Sequence, residues 1–144
     1  RFMSPEHILR LPDIQERVTR YHAQEEDFAA MIRDNAHLEG SVLVIDLMDV
    51  DDIKAGNRFR EYAMFPAANI SLRIFWGKLR EKVVFTCGHS ILNRTSTVNV
   101  GQLMLQYGGG GHTRVGSCQV EVADWQRVRN ELVAAMAEEP AQLG

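Results

Sequence analysis

Gly108-Gly109-Gly110-Gly111-His112, followed by Thr113-Arg114, is the stretch of this sequence best suited to holding an anion. Glycine loses more backbone freedom on folding than any other residue, so a run of it needs a physical reason. A backbone that turns through positive φ, or that approaches another molecule closely, is one such reason, and it leaves N–H groups free to point at an anion. His112 adds a donor that can become charged, and Arg114 a planar fork that matches phosphate oxygens. A second polar stretch, Gly88-His89-Ser90 with Asn93-Arg94-Thr95-Ser96, precedes a short helix able to return the chain to the same edge. Gly109, Gly110, Gly111, His112 and Arg114, with His89, Ser90, Asn93 and Arg94, are therefore read as one phosphate-binding site. The plainer reading is a tight turn in which the glycines serve packing alone.

Other candidates weigh less. Asp46, Asp49, Asp51 and Asp52 lie close together but lack the order of a calcium loop and a histidine partner, so they read as a strand end and the cap of a helix starting near Ile53. His22 and His37 have no second ligand at metal spacing, and no Lys-Ser or Lys-Thr follows the glycines as in a Walker loop. Cys87 and Cys118 sit in apolar, strand-like contexts and read as buried free thiols of a reducing compartment. No catalytic residue and no metal ligand is assigned, and taken alone the chain reads as a binding domain.

With 144 residues and 45% hydrophobic content, the chain can bury one globular core. Its formal net charge of -3 argues against a general nucleic-acid binder, so an anion site has to be local. Arg73, Lys78, Arg80, Lys82 and Arg94 stand against Glu81 alone in residues 70–100. No stretch is long and apolar enough to span a bilayer and no charged-then-apolar leader opens the chain, from which a cytoplasmic location and no membrane partner are expected. The opening Arg1-Phe2-Met3 reads as a piece cut from a longer polypeptide.

The elements that would position these groups follow from periodicity. A helix from Pro12 carries Ile14, Val18, Tyr21, Phe28, Met31 and Ile32 at helical spacing, and Gly40 ends the run. Ser41–Leu47 reads as a buried strand, 57–65 as a short helix before Pro66, and 69–76 as an alternating strand that turns at 77–81 and returns antiparallel over 82–88. Thr97 or Asn99 caps a helix reaching Tyr107, with Gly108 as its C-cap. Residues 118–122 form another strand, and Asp124 caps a last helix on Trp125, Val128, Leu132, Val133 and Met136 that Pro140 closes. The expected fold is α/β, a mixed sheet of about four or five strands with flanking helices. Residues 1–39 are expected as an N-terminal helical segment packing on the domain or linking it to another, and 40–144 as the binding domain.

Val98-Asn99-Val100-Gly101, Tyr107 through His112, and Val115-Gly116 resemble the signature of the DHH-associated domain, the C-terminal substrate-binding domain of the Asp-His-His phosphoesterases. Gly88-His89-Ser90 with Asn93-Arg94-Thr95-Ser96 looks like the substrate-contacting strand of that domain. The resemblance covers residues 40–137 and rests mainly on Thr86 to Ser117. It implies that Gly109, Gly110, Gly111 and His112 hold a phosphate or terminal nucleotide, with Ser90, Asn93 and Arg94 as further contacts. It also implies a separate N-terminal catalytic domain, missing from these residues, whose Asp and His ligands bind a manganese-type divalent metal. His89-Ser90 stands where many members have Arg-Ser, and Val115 where many have an Ala-rich step.

The expectation is the substrate-binding domain of a metal-dependent phosphoesterase of the exopolyphosphatase-related or oligoribonuclease type, itself without cofactor or catalytic metal ligands. Its expected partners are a phosphorylated small molecule or short oligonucleotide and the missing catalytic domain, with a homodimer left open. The alternative is a stand-alone nucleotide or nucleic-acid sensor without activity. A third reading keeps the glycines structural and makes Trp76, at a hairpin end, a point of association.

Overall fold

The computed structural model describes residues 12–137. Helix α1 (Pro12–Asn35) leads into strands β1 (Ala36–Glu39) and β2 (Val42–Asp46), then helix α2 (Arg58–Met64) and strands β3 (Ile70–Trp76) and β4 (Lys82–His89). Helix α3 (Val100–Leu105), strands β5 (Gly110–Gly111) and β6 (Val115–Glu121), and helix α4 (Trp125–Met136) complete the order. They form a 6-stranded sheet in the order β1-β2-β3-β4-β6-β5. β2 and β3 run parallel, and every other neighbouring pair is antiparallel. A parallel pair needs a crossover, and the segment carrying α2 provides it. The mixed α/β sheet is the one expected, with the short β1 and β5 added at its edges.

Strand alternation gives the sheet two unlike faces. One presents Val44, Leu72, Phe85 and Cys118 to α3 and α4, where Val100, Met104, Leu132 and Met136 close a continuous core. On the other, Leu43 and Ile45 of β2 pack under Phe28, Met31 and Ile32 of α1. That cover stops at β3. Thr86 of β4 is half-buried, and Ser117, its partner on β6, is exposed.

Several local expectations are corrected. α1 ends at Asn35 rather than at Gly40, because residues 36–39 pair with β2 and Gly40, at φ 63°, forms the hairpin turn. The expected division between residues 39 and 40 falls at this turn. Val18 and Tyr21 are exposed, whereas Phe28, Met31 and Ile32 of the same stripe are buried. No helix starts near Ile53. The Asp46 carboxylate instead accepts the Met48 N–H at 3.0 Å, and the next helix waits for Asn57, whose side chain accepts the Phe59 N–H at 2.9 Å. Asp124 stands at the N-cap of α4 without making a side-chain cap bond, and its carboxylate lies 3.7 Å from Arg127. Trp76 is no exposed anchor: its indole N–H donates to the Met48 carbonyl at 3.0 Å and Arg80 covers the ring at 5.4 Å. Cys87 and Cys118 are buried free thiols, as expected. Pro140 lies outside the described residues. Among the described residues no helix is long and apolar enough to cross a membrane.

Candidate functional site

The glycine run spends much of its freedom on contacts with the protein's own backbone. Gly108, at φ 81°, ends α3, and the Gly109 N–H donates to the Met104 carbonyl at 2.9 Å. Gly110 and Gly111 then pair with Ser117 and Gly116 of β6. A Cβ on Gly109 would lie 2.1 Å from the Ser117 carbonyl oxygen, and one on Gly111 2.3 Å from that of Val115. Gly101 and Gly116 are also too close for a side chain, with a Cβ 2.8 and 2.6 Å from the carbonyl oxygens of Gly111 and Gly110. The backbones of α3, β5 and β6 therefore touch directly.

Neighbouring amides are also engaged. His112 N–H donates to the Val115 carbonyl at 2.7 Å, and at the start of α3 Val100 and Gly101 donate to the Thr113 and His112 carbonyls at 2.8 Å each. The bonds from Gly108, Gly109 and His112 correct the expectation that these loop amides are free. His112 and Thr113 are exposed and, with Asn99, Gln102, Gly110 and Gly111, border a groove of about 460 Å³.

A second cavity, of about 250 Å³, opens where β4 ends and β6 begins. Gly88 pairs with Val115, and the His89 N–H donates to the Arg114 carbonyl at 2.9 Å, so the two strand ends bring His89, Ser90 and Arg114 together. α2 contributes Arg58 and Tyr62 from above, four residues apart on one helix face. Neither Arg58 nor Arg114 forms an ion pair among the described residues, and no carboxylate lines the cavity. His89 Nε2 lies 2.8 Å from the Val98 carbonyl, which only accepts; the proton is assigned to Nε2, and Nδ1 becomes a donor only on protonation. The Ser90 oxygen is buried and accepts the Leu92 and Asn93 N–H groups at 3.1 and 3.0 Å, leaving its own O–H to donate. Tyr62 Oη sits 3.0 Å from Ser71 Oγ and 3.2 Å from the Gly88 carbonyl, and burial pushes its pKa up, so the phenol stays neutral.

The residues read as one site thus divide between two cavities flanking His112–Arg114. Gly110, Gly111 and His112 border one, and His89, Ser90 and Arg114 border the other; Gly109 lines neither. Asn93 and Arg94 line neither. The Asn93 amide donates to the Pro66 carbonyl at 3.3 Å and accepts from Thr95 at 2.7 Å, while Arg94 Nε donates to the Ile91 carbonyl at 3.4 Å. Arg58 and Tyr62 escaped the sequence reading, although their spacing just after the Asn57 cap marks one helix face. Among the described residues no three of His, Cys, Asp and Glu are grouped so as to hold a metal ion.

Comparison with solved structures bears out the resemblance to the DHH phosphoesterases. The chain matches PggH, a pGpG-specific phosphodiesterase of Vibrio cholerae, at 39% identity and a TM-score of 0.89, over 95% of this chain and 47% of that one. It spans about half the length of that relative. An exopolyphosphatase-related protein of Bacteroides fragilis shares the fold at 12% identity and a TM-score of 0.56, covering 85% of this chain and 38% of its own. So does a DHH domain from a protein described as belonging to a family of ribosomal proteins, at 10% identity and a TM-score of 0.64, over 89% and 34%. No family model and no curated protein matches the sequence.

Proposed function

We propose that this chain is the substrate-holding part of a metal-dependent phosphodiesterase acting on short oligonucleotides or dinucleotides. The observation that carries the reading is the cavity between α2 and the ends of β4 and β6, where Arg58 and Arg114, without an acid partner among the described residues, stand beside the Ser90 hydroxyl. Two guanidinium forks and a hydroxyl donor suit a phosphate, and the absence of a lining carboxylate removes the competing partner. His112 and Thr113, across the loop, take a second polar portion of the substrate. Holding the phosphate lowers the entropic part of the barrier without bond cleavage by these residues. The catalytic metal, of manganese type, is assigned to the other half of the protein, and the similarity to a pGpG-specific phosphodiesterase supports a linear dinucleotide as substrate.

Titration with a 5′-phosphorylated dinucleotide tests the grip. Arg114→Ala should weaken binding about thirtyfold, the worth of one charge-assisted hydrogen-bond pair, and added salt should weaken the wild type. Unchanged affinity in both Arg114→Ala and Arg58→Ala would overturn it.

A further inference from the structure

A third cavity, of about 160 Å³, lies on the open half of the sheet and is left unused by the phosphate grip. Ile53 and Phe75 give it apolar walls, and Arg58, Arg73 and Thr86 its polar atoms. Arg58 also lines the phosphate cavity, so the two are contiguous. They share one face of the sheet in register, since Arg73 pairs with Thr86 and Ser71 with Gly88. Two residues along β4 amount to about 7 Å, the reach from the phosphate of a nucleotide to its base.

Arg73 is held in direction from two sides. The fully buried Glu61 accepts from its Nη2, and Phe28 lies against the guanidinium with 5.8 Å from Cζ to the ring centroid. The remaining N–H groups of this fork find no hydrogen-bond partner among the described residues. A rigid fork with parallel donors matches two adjacent acceptors, and among nucleobases that pair is O6 and N7 of guanine. Adenine sets an amino donor beside its N7, which would meet the fork donor to donor.

Resting on the phosphate-grip reading above, we infer that this cavity is a nucleobase subsite selective for guanine, with Arg73 reading the O6/N7 edge between Ile53 and Phe75. Glu61 is a positioning residue: it fixes the fork without meeting the base.

Titration of the 144-residue chain with pGpG, pApA, the inosine dinucleotide and the 7-deazaguanine dinucleotide tests this without altering the protein. The wild type should prefer pGpG over pApA about tenfold or more. Inosine, which keeps O6 and N7, should bind like guanine, and 7-deazaguanine, which lacks N7, should fall toward pApA. Arg73→Lys should erase the preference. Because that change disturbs the buried Glu61 and can cost folding, Ile53→Trp, at a position 43% exposed, serves as the second variant and should weaken pGpG while sparing pApA. Equal affinity for all four dinucleotides, with Arg114→Ala still weakening each, overturns the base subsite and leaves the phosphate grip standing. Binding of none of them, or binding untouched by Arg58→Ala and Arg114→Ala, overturns the grip and the subsite with it.

Discussion

The glycine run and the arginine cavity draw on one stretch of chain and use it in opposite ways. At Gly109 and Gly111 the backbone is consumed by contact, since missing side chains let the chain lie against β6, and the N–H groups of Gly108 and Gly109 close the helix. From His112 to Arg114 the carbonyls hold α3 and β4 in place, while the side chains stay outward. A run of glycine therefore marks a close approach between backbones, and the capacity to bind an anion resides in the uncommitted cations that this approach positions. The same division separates the arginines. Arg129 is committed to Glu39, whereas Arg58 and Arg114 have no acid partner among the described residues; Arg73 stands between, with one Nη on Glu61 and the rest of its fork without a partner among those residues.

The strongest break of this comparison is Gly109→Ala. Its Cβ would overlap the Ser117 carbonyl and the Cys118 backbone, and neither is the movable end of a flexible side chain. Denaturant unfolding should show a loss of about 3 kcal/mol. Gly110→Ala, with nothing within 4 Å of the added carbon, should stay within about 0.5 kcal/mol of the wild type. If both variants fold equally well, the packing account of the glycines fails. Thiol labelling gives an independent readout: burial pushes the Cys118 thiol up to about 11, so it should resist modification in the native wild type and react faster in Gly109→Ala.

Arg114→Ala is the converse. Because the side chain has no ion-pair partner among the described residues to strand, unfolding should move by no more than about 0.5 kcal/mol, although dinucleotide binding falls by about 2 kcal/mol. A loss of stability matching the loss of binding would make Arg114 structural.

What could be read from the sequence follows from how local each feature is. The period-2 pattern of 70–76 and 82–88 marks a hairpin because both strands and their turn are contiguous, and Asn99 declares a helix start through its own side chain. β1 and β5 were invisible for a matching reason. Ala36–Glu39 continues a helical run and is too short for alternation to register, and Gly110–Gly111 has no side chains to alternate. In the site, His89, Ser90 and Arg114 stood out as polar residues where strands end. Arg58 and Tyr62 did not, since their placement depends on the crossover packing α2 over Ser71 and Gly88, a contact spanning 26 residues between Tyr62 and Gly88. The glycines were legible as a demand on the backbone, but what met that demand, the carbonyls of Val115 and Ser117, becomes evident only once β6 turns back against them.

The smallest expected effect comes from a committed arginine. Glu39 accepts hydrogen bonds from Arg129 of α4, and that guanidinium, helped by His37, holds its carboxyl below the ordinary value of 4.5. A carboxylate with a depressed folded-state pKa stabilises the fold above the unfolded value and loses that contribution as pH falls through the folded one. Wild-type stability should thus include a component that is complete near pH 6 and fades below pH 4.5. Arg129→Met should remove this component, at a cost of about 1 kcal/mol or less because the pair is partly exposed, and should leave dinucleotide affinity unchanged. Stability curves of the two proteins should converge as the pH drops. Parallel curves would mean that Arg129 acts through packing rather than charge, and a loss of dinucleotide binding would erase the distinction between committed and uncommitted arginines.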